Sequence, residues 1–145
     1  MTLDFFIPCN PPKSTAQAST IIMRRKDGSP FIGRAKSSKA KKVEHDLMVL
    51  LGQHKPPRAL EGALFLEVLF TYPWRAGEPK KNRVAGYRWI DKRPDADNLY
   101  KLMGDVMTRL GFWTDDAQVA DLRVLKRWGD EPGIKVRTGE LGRRE

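Results

Sequence analysis

Leu3, Phe5 and Ile7 recur at every second residue and stop at Pro8, the spacing of a short opening strand. Residues 20–25 and 31–32 flank Lys26-Asp27-Gly28-Ser29-Pro30. There Asp27-Gly28 predicts a hairpin closed by a type I′ turn, with both central residues at positive φ. Ser38 is the expected N-cap of a helix reaching about Gln53, with Val43, Leu47, Leu50 and Leu51 forming one buried stripe. Gly52 weakens its end and Pro56-Pro57 forbids continuation. Residues 63–72 read as an interior strand, with Leu64, Leu66, Val68 and Phe70 on one face and Phe65, Glu67 and Leu69 on the other. A second helix starts at Asp97 or Asn98 and buries Leu99, Leu102, Met103, Val106 and Leu110, with Gly111 as its C-cap. From Gln118 a further strand is expected, with Ala120, Leu122 and Val124 on one side.

Between these elements, residues 75–92 break the pattern. Gly77, Pro79 and Gly86 accompany Lys80, Lys81, Arg83 and Arg88, interleaved with Tyr87 and Trp89 after Trp74. This predicts a mobile loop whose cations suit phosphate contacts and whose rings suit stacking on unpaired bases, or else anchor the loop to the core. No internal repeat or second domain boundary is visible, so residues 1–145 read as one domain.

Composition sharpens this picture through charge. The chain has 27 Lys plus Arg against 18 Asp plus Glu, a net of +9, and its 40% apolar content argues against general disorder. No apolar run is long enough for a membrane span, and residues 1–12 lack the pattern of a signal peptide, so a cytoplasmic protein with no membrane partner is expected. One cysteine, Cys9, excludes an internal disulfide framework, and Cys9 and Met103 read as core or near-core residues. With only His45 and His54, both assigned to the surface of the first helix, a structural zinc site is not expected. The charge is segregated. From Asp95 to Glu131 there are five basic and eight acidic residues, a local −3, which leaves +12 elsewhere. Lys13, Arg24, Arg25, Lys26, Arg34 and Lys36 stud the hairpin region and suit a polyanion, whose phosphates the acidic segment would repel unless a cation neutralised it.

That segment reads Asp95-Ala96-Asp97-Asn98-Leu99-Tyr100-Lys101, then a helix, then Trp113-Thr114-Asp115-Asp116-Ala117-Gln118-Val119. At about 100° per residue, Asp97, Lys101 and Asp105 face away from the apolar stripe. Two readings are open. The acids cap helices and sit on solvated faces, with Lys101 as an i, i+4 partner of Asp97 or Asp105. Alternatively Asp95, Asp97 and one of Asp115 or Asp116 converge into an all-oxygen site suited to Mg²⁺ or Mn²⁺, and Lys101 adds positive charge to a transition state.

The two blocks and their separation resemble the RusA family of Holliday-junction resolvases. The resemblance is closest over residues 93–126 and implies a Mg²⁺-dependent crossover junction endodeoxyribonuclease, with Mn²⁺ as a substitute metal. Its acidic catalytic and metal-binding residues would be Asp95, Asp97 and Asp116, with Asp115 as a further candidate metal ligand, and its essential basic residue would be Lys101. It implies an α+β homodimer, a small mixed β-sheet packed with two main helices, making paired symmetrical nicks in four-way junctions during recombination and repair. Lys80, Lys81, Arg83, Arg24, Arg25 and Lys36 are the candidate DNA contacts. The competing expectations are a non-catalytic nucleic-acid-binding module and a metal nuclease acting on other branched DNA.

Overall fold

The computed structural model describes residues 1–13, 19–35 and 38–142. Along the chain come β1 (Thr2–Pro8), β2 (Ser19–Arg24), β3 (Pro30–Ala35), α1 (Ser38–Gly52), β4 (Leu64–Pro73), α2 (Lys80–Arg83), β5 (Tyr87–Trp89), α3 (Ala96–Leu110), β6 (Val119–Gly129) and β7 (Gly133–Glu140). Five strands form one mixed sheet in the order β1-β7-β4-β6-β5, and β2-β3 form a separate hairpin. The architecture is α+β, as expected, with two full helices and a third, α2, of a single turn.

β4 is the central strand. Leu64, Leu66, Val68 and Phe70 are fully buried on one face, because alternation directs every second side chain toward α1 and α3. β7 pairs antiparallel with β4 and adds Ile134 and Val136 to the same core. The periodicity of the chain gave no sign of its place between β1 and β4. β6 runs parallel to β4, and a register irregularity between Leu64 and Phe65 leaves Ala120 without a partner. The buried stripe of α3 is Leu99, Met103, Val106 and Met107, with Leu102 and Leu110 partly covered. Gly111 closes the helix at φ +87°, where a Cβ would be strained.

Three local expectations need correction. Ser38 is the first residue of α1 and does not stand outside it as a cap. The helix cap at α3 is Asp95, which places Asp97 inside the first turn. In the hairpin only Gly28 takes positive φ (+88°), so the turn is not type I′. Asp27 Oδ1 instead accepts from the Ser29 amide (2.8 Å) and hydroxyl (2.6 Å), a local pairing that competes with the mirror-image turn. Cross-strand partners Ile22 and Ile32 are both more than three-quarters exposed. Among the described residues no helix is long and apolar enough to cross a membrane.

Met103 is fully buried and Lys101, two residues earlier on α3, is exposed. Met103→Ala is therefore expected to cost about 2–5 kcal/mol of unfolding free energy. Lys101→Ala should stay within about 0.5 kcal/mol of the parent, as chemical denaturation will check.

Candidate active site and basic surface

The acids sit where α3 and the turn after it meet the sheet. Asp95 stands at the N-cap position of α3 without a side-chain capping bond, and Asp97 lies in its first turn, where the helix dipole favours negative charge. Both are exposed, as is Lys101 one turn on, and none of the three side chains has a hydrogen-bond or ion-pair partner among the described residues. The start of α3 is fastened to β6 by Lys126. Its Nζ donates to the Pro94 carbonyl (2.8 Å) and to that of Lys92, and the Ile90 amide donates to the Lys126 carbonyl. The Arg93–Pro94 peptide bond is cis.

At the other end of α3, Phe112 and Trp113 are buried, and the Trp113 Nε1 donates to Thr108 Oγ1 at 2.8 Å. A single 3₁₀ turn, Asp116–Gln118, follows. Here the neighbouring aspartates differ. Asp115 Oδ1 accepts from the Ala117 amide (2.8 Å), while Gln118 Oε1 accepts from the amides of Thr114 (3.0 Å) and Asp115 (3.1 Å), a reciprocal capping box. Gln118 Nε2 donates to the carbonyls of Leu60 and Gly62, tying the turn to the start of β4. Asp115 is thus occupied in shaping the turn. The Asp116 carboxylate is exposed and has no hydrogen-bond or ion-pair partner among the described residues. Burial, followed by the negative charges of Asp116 and Asp105, holds the Tyr100 hydroxyl above its ordinary range.

Carboxylate oxygens without neighbouring imidazole or thiol suit a hard divalent cation. Within one chain, however, no three Asp, Glu, His or Cys side chains among the described residues come close enough to share an ion. Asp95 and Asp97 stand at the Lys126 end of β6, and Asp116 precedes its opposite end.

The segment expected to be a mobile loop is built around a charge that composition and spacing did not single out. Glu78 is buried. Its Oε2 accepts from Arg75 (2.9 Å), and its Oε1 accepts from Arg88 (2.9 Å) and Asn82 (3.0 Å). The Arg88 contact first, then those of Arg75 and Asn82, outweigh burial and hold its carboxyl at about 2, against an ordinary 4.5. Arg75 also lies over the Trp128 ring (4.4 Å), Arg83 near Trp74 (5.9 Å) and Arg127 over Tyr87 (4.8 Å). Trp128, outside this segment, is buried against it, while Tyr87 and Trp89 within it stay exposed. Lys80, Lys81 and Arg83 are exposed on α2, which the Glu78 cluster braces. On the hairpin, Arg24 Nη1 donates to the Gly28 carbonyl (3.1 Å) and Arg25 lies over Phe31 (5.0 Å). Lys36 lies outside the described residues, as does the Arg34 side chain. The clue to Glu78 was its place as a lone acid between Arg75 and Arg88.

This is a basic α+β domain with free carboxylates disposed along a helix-to-strand crossover. The family described as Endodeoxyribonuclease RusA matches residues 11–138, and the chain belongs to that family. Crossover junction endodeoxyribonuclease RusA of Escherichia coli strain K12 is 48% identical over 48 residues, 33% of this chain and 40% of that protein. The enterobacteria phage 82 protein of the same description matches with the same figures. The aligned stretch therefore spans less than half the length of those relatives. The uncharacterized protein YqaN of Bacillus subtilis strain 168 is 26% identical over 137 residues, 89% of this chain and 96% of its own length.

Because Glu78 is depressed by its arginines, its stabilising contribution is complete above pH about 4.5 and is lost as pH falls toward about 2. Tryptophan fluorescence during acid titration should show this transition in the parent. Glu78→Gln, which has no carboxylate to protonate, should lack it.

Proposed function

We propose that the chain is a Mg²⁺-dependent, structure-selective endodeoxyribonuclease that acts in the cytoplasm as a homodimer and resolves four-way DNA junctions by paired nicks in recombination and repair. The observation that carries this reading is the pattern of engagement at the matched blocks. Asp95, Asp97, Asp116 and Lys101 are exposed and unengaged, whereas Asp115 and Gln118 between them hold the turn together. Residues whose task is structural have structural partners, and the four assigned to chemistry do not. A bound Mg²⁺ or Mn²⁺ supplies Lewis-acid stabilisation of charge on the scissile phosphate. Asp95, Asp97 and Asp116 are the residues that would hold it, and Lys101, one turn after Asp97 on α3, would add a positive charge to the site.

A second copy of the chain offers a way to unite the two acidic ends. Among the described residues the outer edge of β6 pairs with β5 over Arg127–Gly129 and takes one more bond, from the Ile90 amide to the Lys126 carbonyl, leaving the edge before Lys126 open. The Lys126 carbonyl points to that edge, so by alternation the backbone groups of Val124 and Leu122 do too. Antiparallel pairing of two such edges, centred on Leu122, sets Asp121 opposite the partner's Arg123 and Arg123 opposite the partner's Asp121. The next compatible registers on either side oppose Asp121 to the partner's Asp121 or Arg123 to the partner's Arg123, so charge selects the first. Leu122, 43% exposed in the single chain, is then covered by its own copy. Because the strands run in opposite directions, this pairing carries the Asp116 of each subunit toward the Asp95–Asp97 end of the other, and two equivalent sites face two equivalent strands.

Asp97→Asn is expected to bind four-way junction DNA but to nick it about a hundredfold or more slowly, the scale of removing one electrostatic interaction that stabilises a transition state. End-labelled junction, fork and linear duplex with and without Mg²⁺ provide the measurement. Paired nicks confined to the junction support junction resolution, cutting of the fork alone indicates a different branched substrate, and no metal-dependent cutting indicates a binding module. Mixing Asp97→Asn with Asp116→Asn tests the shared site. A heterodimer regains one intact site, and with it single-strand nicking, only if each site draws on both subunits.

Neutralising Lys80, Lys81 and Arg83 together should weaken junction binding and reduce the slope of log affinity against log salt, by up to about 0.9 for each phosphate that these cations neutralise in the parent. An unchanged slope would exclude α2 from the DNA footprint.

A further inference from the structure

A cleft of about 380 Å³ lies against the segment that leads into α3, and its wall ends at Pro94, one residue before Asp95. That volume falls in the range of sites that enclose small ligands, about 300–1,000 Å³. Four cations line it, Lys13, Arg75, Lys92 and Arg93, and no carboxylate does. Arg75 is neutralised by Glu78. The Lys13, Lys92 and Arg93 side chains are exposed and have no hydrogen-bond or ion-pair partner among the described residues.

The rest of the lining is apolar and fixed in place. Trp128 is buried with the Arg75 and Arg88 guanidinium groups near its ring, so it serves as wall. Trp74 is half-buried, and its Nε1 donates to Asp130 Oδ1 at 2.7 Å, which sets the orientation of its ring. The lining stretch from Lys92 to Pro94 is held to β6 by its Lys92 and Pro94 carbonyls, which Lys126 engages. A rigid aromatic surface beside three unpaired cations recognises a ligand that is flat at one end and anionic at the other. A nucleotide has that chemistry. A base inside a duplex, stacked on both faces and paired along its edge, does not fit a cleft of this size.

We infer that the cleft seats one unpaired nucleotide of the DNA strand, its base on Trp74 and its flanking phosphates on Lys13, Lys92 and Arg93. This rests on the reading of the chain as a DNA-cleaving protein for the nature of the strand, and on the cleft itself for the unpaired state. It gives the protein a direct way to favour branch points, because only there is a free nucleotide available beside the acids.

The test is binding without divalent metal, so that cleavage plays no part. The substrates are a fork with 2-aminopurine at the branch point and a blunt duplex of equal length. The full-length parent is expected to quench the 2-aminopurine emission on binding the fork. Trp74→Ala should abolish the quenching and weaken fork binding about tenfold, as for removal of one base stack, with duplex binding unchanged. Trp74→Phe, which keeps a ring but not the Asp130 bond, should retain the quenching and so separates stacking from support of the fold. The exposed pair Lys13→Gln with Arg93→Gln should weaken the fork more than the duplex, which keeps the test decisive should Trp74→Ala not fold. Absence of quenching by the parent, or equal losses on fork and duplex in the double variant, overturns the cleft but not DNA binding. Failure of the parent to bind either DNA overturns both.

Discussion

Because β6 lies parallel to β4, the chain must travel from the end of one strand back to the start of the other, and α3 is the element that carries it. The return buries Leu99, Met103, Val106 and Met107 against the sheet and leaves the opposite flank of the helix in solvent. It also separates the acids. Residues at the start of α3 are delivered to one end of β6, where Lys126 clasps the Pro94 carbonyl, and residues after α3 to the other end, where Gln118 clasps Leu60 and Gly62. These two polar clamps explain how exposed side chains are held in place. Each one grips main chain beside the candidate residues and leaves the Asp95, Asp97 and Asp116 side chains unencumbered.

The cation-rich segment between β4 and α3 faces the opposite problem, since like charges at close range repel. Burying one glutamate among Arg75, Arg88 and Asn82 resolves it, because the charge-assisted hydrogen bonds outweigh the cost of desolvating the carboxylate. Guanidinium groups near the Trp128, Trp74 and Tyr87 rings spread further positive charge over aromatic surface. The result is a surface that remains basic toward solvent yet is ordered enough to contain α2 and β5.

Elements with a strong hydrophobic period were legible in the residues, among them β1, α1, the buried face of β4, the α3 stripe and the Gly111 cap. Weaker or longer-range signals were not. β5 is three residues of exposed side chains whose order comes from pairing with β6, and β7 owes its place to β1 and β4 on either side. Glu78 was hidden because its meaning lies in arginines three residues before it and ten after. At the candidate site the residue types and their spacing were readable. The difference between Asp115 and Asp116 was not, because it depends on which carboxylate the 3₁₀ turn consumes. Nor does a helical wheel show that the two acidic groups lie at opposite ends of a strand, since that follows from sheet order alone.

Charge segregation and sheet order bear on each other. A local −3 within a chain of +9 repels phosphate where the acids stand, while the surrounding cations attract it, so on the proposed reading a DNA strand is drawn to the margin of the acidic region before it enters. Cleavage on the proposed reading then depends on two additions, a second subunit that brings the missing carboxylate and a divalent cation that neutralises the assembled acids. The edge of β6 fits the latter role. Alternating charge on an open strand edge normally deters pairing with strangers, but Asp121-Leu122-Arg123 is self-complementary when reversed, so in the proposed dimer the same three residues that reject an arbitrary strand accept their own copy. On this account the acids stay apart in the lone chain, and a complete site, with its demand for a cation, forms only where a subunit pair is present to direct it at two strands together.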